Sequence, residues 1–418
     1  MVRSQDYYDL LGGLAAPPGP ILSSPSLFAG GACIVPMENR GGAGSRFAPS
    51  QRRGSGIVHK VLKTIAQQAN LDRVLFTPAL KKIYVEMALA AGGATQFKHV
   101  EDVRKGLSFA ADKADDEKHI LLFCTSHELF LGYDMLVRSA AEMLPFVVLA
   151  TRSEVEDKFN DNWSFLQFRD TGCIQFHTHT LQEVYNHLAI AYHMFETKNV
   201  RLPVLVLHSS IMQKNQTFAP REELEMGNPL VGLESSRVRR KLGFDEALAL
   251  AKAEKARPTL RSIHATLVEN LREIYSNLGY VLPEEGLPYR GEFAKGDIAV
   301  LSMVPADVED ERSDHITRLL CYRPIAMGSL MKQMAEKKIV VVIEPRPTPG
   351  SLPAFFTEIR TTMPPEFKGQ VISITCPANM TILYSKHLDH IDEIVAKIKK
   401  SPKKALPVYD LALDDTAE

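Results

Sequence analysis

The chain has 418 residues, 45% apolar and 24% charged, with 49 lysines and arginines against 50 aspartates and glutamates. That size can bury a large core in two or three domains, and the balanced charge argues against a polyanion such as nucleic acid as a general partner. The five cysteines, Cys33, Cys124, Cys173, Cys321 and Cys376, form no close pair able to hold zinc or an iron–sulfur cluster, and no apolar run nears the roughly 20 residues of a membrane span. Reduced, buried thiols in a cytoplasmic protein are the expectation.

In chain order, residues 1–55 are rich in Gly, Pro, Ser and Arg and read as an N-terminal extension, a tether or subunit-clasping arm. Within it, Gly41-Gly42-Ala43-Gly44-Ser45 lacks the ending of a phosphate loop and reads as linker. Residues 56–214 alternate helices and strands. Helix "IVHKVLKTIAQQANL" precedes strand "RVLF", which Pro78 ends; "LKKIYVEMALAAGG" and "KHVEDVRKGLSFAADKA" read as helices, then "HILLFCTS" as strand. Helix "HELFLGYDMLVRSAAEM", strands "LPFVVLATR" and "CIQFHT", a helix opened by the capping box Thr180-x-x-Glu183, and strand "LPVLVLHS" complete the set. Residues 215–296 read as a charged helical connector without strands. Residues 297–418 form a smaller α/β domain with strands "DIAVLSMV", "RLLCYRPI", "KKIVVVIEP" and "GQVISITCP". Strands apolar on both faces imply two open, mostly parallel sheets flanked by helices.

In such sheets ligands gather beyond the carboxyl ends of the strands. Thr77, Thr125-Ser126 and Thr151-Arg152 stand at three such ends. An arginine there can grip a carboxylate or phosphate through two parallel hydrogen bonds; the alternative is a surface pair of Arg152 with Glu154 or Asp157. His177 and His179 read as a surface pair, and the methionines of "MGSLMKQM" as core packing.

From about residue 56 to 400 the chain resembles the alpha part of the thiamine-diphosphate-dependent 2-oxoacid:acceptor oxidoreductases, closest to the pyruvate:ferredoxin branch. The resemblance rests on Ala150-Thr151-Arg152 ending a strand, Asn160-Asp161 in the loop, and "RDTGCIQ" at 169–175, where the family has "RDTGWIQ". "LFTPA" at 75–79 is similar to the family's "YPITPS", and "HVEDVRKGLSFAAD" to its glutamate-bearing helix. The family fold implied is a pyrimidine-type domain followed by a transketolase C-terminal-like domain. The family's Trp is replaced by Cys173, and its Ser-Gln-Gly after the second strand by Ser126-His127-Glu128.

The resemblance implies that Arg152 holds the carboxylate of a 2-oxoacid, with Thr77 and Thr151 also at the substrate, and that Glu101 bonds the pyrimidine ring of thiamine diphosphate. Asp102 and Glu86 are alternatives to Glu101, and His127 is a candidate substrate ligand. The implied activity is coenzyme A-dependent oxidative decarboxylation of a pyruvate-like 2-oxoacid with electrons passed to ferredoxin or a similar acceptor. An aromatic 2-oxoacid or oxalate as substrate, or a non-catalytic structural paralogue, are the alternatives. The chain lacks the GDG…N motif for magnesium and diphosphate, so the resemblance implies a beta subunit carrying most of the thiamine site. It further implies a ferredoxin-like subunit with iron–sulfur clusters, a gamma subunit, and pairing of whole hetero-oligomers.

Overall fold

The computed structural model describes residues 53–89, 95–115, 118–152, 166–197, 200–209, 289–290, 296–306, 310–325, 327–347, 351–377, 380, 382–400 and 408–411. The extension up to residue 52, with Cys33 and the glycine run, lies outside them, as do the loop holding Asn160-Asp161, Glu154 and Asp157 and nearly all of the connector.

The first sheet contains β1 (Arg73–Phe76), β2 (Gln96–His99), β3 (Ile120–Thr125), β4 (Val147–Thr151), β5 (Ile174–Thr178) and β6 (Val204–His208), with β10 (Cys321–Arg323) at one edge. Its order is β10-β5-β6-β4-β3-β1-β2, parallel throughout except for β10. Helices α1 (Arg53–Gln68), α2 (Lys81–Leu89), α3 (Val103–Asp115), α4 (Ser126–Phe130), α5 (Tyr133–Ala141) and α6 (Leu181–Thr197) accompany it. Period-two alternation sorts the strands onto two cores. Val74, Phe76, Leu121, Phe123, Val147 and Leu149 pack with α1 and α6, while Leu75, Leu122, Cys124, Val148 and Ala150 pack with α3 and α5.

The second sheet holds β7 (Tyr289–Arg290), β8 (Ile298–Ser302), β9 (Ile316–Leu319), β11 (Ile339–Pro345), β12 (Gln370–Cys376) and β13 (Val408–Asp410). Its order is β13-β12-β11-β8-β9-β7, with β7 antiparallel. Helices α7 (Met327–Met334), α8 (Ala354–Thr362) and α9 (Ser385–Lys400) pack on it. The expected pair of open, mostly parallel sheets is thus the observed architecture.

Several local expectations need correction. The segment "QFKH", expected partly as helix, is edge strand β2; its residues alternate between exposed and half-buried, so no apolar run announces it. "HELFLGYDMLVRSAAEM" is two helices, broken at Leu131-Gly132, where a Cβ on Gly132 would sit 2.4 Å from Leu107 Cδ1. The connector is not strandless, because β7 lies within it. "RLLCYRPI" divides between sheets: β9 belongs to the second and β10, one residue later, to the first. Helix α1 starts at Arg53, inside the segment assigned to the extension. Among the described residues, no helix is long and apolar enough to cross a membrane.

Candidate active site at the strand ends

The parallel register sets the carboxyl ends of β2, β1, β3 and β4 side by side. Phe76 pairs with His99 and with Phe123, and Thr125 with Thr151. Glu101 follows the end of β2, Thr77 the end of β1, and Arg152 the end of β4, so one sheet edge collects every residue expected at the substrate or cofactor. The backbone ladder reaches past the strands: Val100 N donates to Phe76 O at 2.9 Å and Arg152 N to His208 O at 3.2 Å.

Arg152 is buried, 3% exposed, and Thr151 beside it is 4% exposed. A guanidinium at such a depth is not a solvated surface charge. Thr77 is fully buried, and its hydroxyl donates to Glu128 Oε2 at 2.6 Å. Glu101 sits differently. Its side chain is 79% exposed, and its carboxylate accepts from Lys105 one helical turn on, a contact that raises the Lys105 ammonium. Asp102 is exposed and caps α3 by accepting from Lys105 N at 2.8 Å. His127 is exposed on α4, and the side chain of Glu86 lies outside the described residues.

Glu128 escaped the sequence reading as a site residue. Its Oε2 accepts from Thr125 N at 3.0 Å and from Thr125 Oγ1 at 3.1 Å, which with the return bond to Thr125 makes a capping box for α4. Its Oε1 accepts from Ala79 N at 3.0 Å. The signal was available in the Thr125-x-x-Glu128 spacing, but the bonds to Thr77 and Ala79 come from a distant segment.

The "RDTGCIQ" stretch forms a turn into β5. Thr171 Oγ1 donates to Phe168 O at 2.7 Å, and Gly172 holds a φ of +82°, where a side chain would be strained. Arg323 of β10 donates from Nε to Arg169 O at 3.0 Å. Cys173 is fully buried in the core with Leu136 and Phe168, and burial pushes its thiol up to about 12, which removes it as a nucleophile.

The expected surface pair His177 and His179 is instead buried, each 7% exposed. His179 Nε2 lies 2.9 Å from Met303 O, and Ser209 Oγ bonds its Nδ1. Next to it, Glu183 accepts from both terminal nitrogens of Arg318 and from His179 N at 2.8 Å. Burial alone would raise the Glu183 carboxyl, but the Arg318 charge and hydrogen bonds outweigh it and hold the group well below the usual carboxylate range. The methionines of "MGSLMKQM" behave as expected where described, with Met334 fully buried and Met331 packed against the second core.

No curated protein matches the chain by sequence. A similar solved structure is the 2-oxoglutarate:ferredoxin oxidoreductase from Magnetococcus marinus with 2-oxoglutarate, coenzyme A and succinyl-CoA bound. It is 11% identical, with a TM-score of 0.49, and the match covers 80% of this chain and 64% of that one, less than two thirds of its length. Residues 122–241 match the family model described as pyruvate flavodoxin/ferredoxin oxidoreductase, thiamine diphosphate-binding. That match is to a thiamine-diphosphate-binding family model, and its span takes in Thr125, Glu128, Thr151, Arg152 and the whole of "RDTGCIQ".

Proposed function

We propose that the chain is the alpha subunit of a multi-subunit 2-oxoacid:acceptor oxidoreductase, coupling oxidative decarboxylation of a 2-oxoacid to reduction of ferredoxin or a similar acceptor and to acyl transfer onto coenzyme A. The observation that carries this reading is Arg152, buried at the carboxyl end of β4 inside the family-matched segment. A guanidinium at the end of such a strand can hold a 2-oxoacid carboxylate through two parallel hydrogen bonds, which match its charge and planar geometry.

The residues present fit the pyrimidine half of the cofactor, because the exposed carboxylate of Glu101 at the sheet edge is accessible to a ring nitrogen brought by another chain. Thiamine diphosphate, when bound, supplies the carbon nucleophile and electron sink that 2-oxoacid decarboxylation requires. This chain's own residues then divide the work. Glu101 would hydrogen-bond the pyrimidine ring, Arg152 would orient the substrate carboxylate, and the buried threonines would exclude water from the strand ends. The diphosphate and magnesium are assigned to a beta partner and the clusters to a ferredoxin-like one, with a gamma subunit for the acceptor and the whole hetero-oligomer paired.

A second reading, a non-catalytic subunit that keeps the fold, draws on the Glu101–Lys105 pair, which engages one oxygen of that carboxylate. Purification of the assembled complex separates the two. Substrate-dependent dye reduction that Arg152→Ala abolishes supports the catalytic reading; normal turnover by that variant overturns the role of Arg152.

A further inference from the structure

At the ends of β1 and β3 the side chain that reaches the surface is not a threonine. Thr77 is fully buried and Thr125 is 6% exposed, whereas Glu128 is half-buried. Four donors from three residues, in two segments distant along the chain, fix its carboxylate. Thr77 Oγ1, Thr125 N and Thr125 Oγ1 converge on Oε2 at 2.6, 3.0 and 3.1 Å, and Ala79 N reaches Oε1 at 3.0 Å. A capping box accounts for the Thr125 contacts alone; it gives no reason for Thr77 to direct its single proton at the same oxygen. A carboxylate oxygen has about two lone pairs, so Oε2 is saturated while Oε1 keeps acceptor capacity. Thr125 and Thr151 are register partners on adjacent strands, so Thr125, one of the residues that hold this carboxylate, lies one strand spacing, about 4.8 Å, from the strand that delivers Arg152.

We propose that Glu128 is a specificity-determining residue of the strand-end site, positioned by Thr77, and that it selects 2-oxoacids whose far end carries a neutral hydrogen-bond donor over those with a second carboxylate. The inference rests on the function proposed above. Arg152 takes the anionic end of such a substrate, and Glu128 Oε1 accepts from the other. A dicarboxylate would bring like charge against an acceptor-only group whose position is held by four bonds, so it cannot swing away without breaking them.

The test compares 2-oxoglutarate with its terminal amide, 2-oxoglutaramate, in the assembled complex by dye reduction. The two match in length and shape and differ in charge at the far end. Wild type is expected to favour the amide by about 10-fold or more in kcat/KM, and Glu128→Gln to bring the ratio within about two-fold. Thr77→Val should shift the ratio the same way and Thr77→Ser should restore it, which a merely structural threonine would not do. Glu128→Asp keeps the charge and should keep the direction of preference, which covers the case in which the glutamine variant fails to fold. A wild-type preference for the dicarboxylate, or a ratio unchanged in a folded Glu128→Gln complex, overturns the inference while leaving the oxidoreductase reading intact. Absence of turnover with every 2-oxoacid overturns the reading and the inference together.

Discussion

Arg318, on β9 of the second sheet, grips Glu183, in the first turn of α6 against the first sheet, through both terminal guanidinium nitrogens. Arg318 is 8% exposed and Glu183 16%, so this pair joins the two sheets with little access to water. Removing the cation leaves a largely desolvated carboxylate without its counter-charge. Arg318→Met is expected to cost about 3–5 kcal/mol in denaturant unfolding, and adding Glu183→Leu should recover most of that loss, since an apolar pair of similar volume need not be desolvated.

The histidines around this pair set an acid limit. Burial, reinforced by the charges of Arg318 and Arg323, lowers His177 to about 3, and burial lowers His187 and His208 to about 4, from an ordinary 6.5. The unfolded chain therefore binds protons that the folded chain refuses between pH 6.5 and 4, and stability falls as pH falls through that window. His187→Phe keeps a ring against Phe176 and removes one such site. Its deficit relative to wild type, measured by urea unfolding, should be largest at pH 7.5 and narrow toward pH 4.5.

Glu344 predicts the opposite slope. It is fully buried on β11 and accepts from Phe355 N at 2.8 Å and Phe356 N at 2.7 Å, at the start of α8. Burial pushes its carboxyl up to about 7 despite those amides, from an ordinary 4.5. Here the folded state retains a proton that the unfolded state has lost, so stability falls as pH rises from 4.5 through 7. Glu344→Gln abolishes this titration. Its unfolding free energy relative to wild type should improve between pH 5 and pH 8, with a constant offset of about 1–3 kcal/mol for the weakened acceptors.

At the proposed substrate arginine, charge and geometry can be separated. Arg152→Lys keeps a cation but loses the planar fork, so KM for the 2-oxoacid should rise by about 100-fold in the assembled complex while KM for the electron acceptor stays unchanged. An equal rise in both would show a general collapse of the strand ends rather than loss of a substrate contact.

What the sequence revealed follows from how local each cause is. Runs such as "HILLFC" and "KIVVVIEP" carry enough apolar residues to declare buried parallel strands, and Arg152 was legible because it ends one of them. Strand β2 was hidden because an edge strand with polar faces has no such run. His177 and His179 looked like surface residues because Met303, Arg318 and Tyr322, which bury and bond them, lie far along the chain. Glu128 was passed over for the same reason: its bond to Thr77 spans 51 residues and exists only once β1 and β3 are paired. Glu101 was read as part of a helix, whereas it lies between the end of β2 and the start of α3, and its exposure and its pairing with Lys105 were not readable from spacing.

The one-residue step between β9 and β10 has a cost for anyone dividing the gene. Because Cys321–Arg323 seals the outer side of β5 while Ile316–Leu319 is built into the other sheet, an amino-terminal fragment ending in the connector would display raw backbone donors and acceptors along β5. During synthesis that rim must wait for more than a hundred further residues to leave the ribosome before it is covered. The two halves are therefore stitched, and expressing either alone invites aggregation through the open seam.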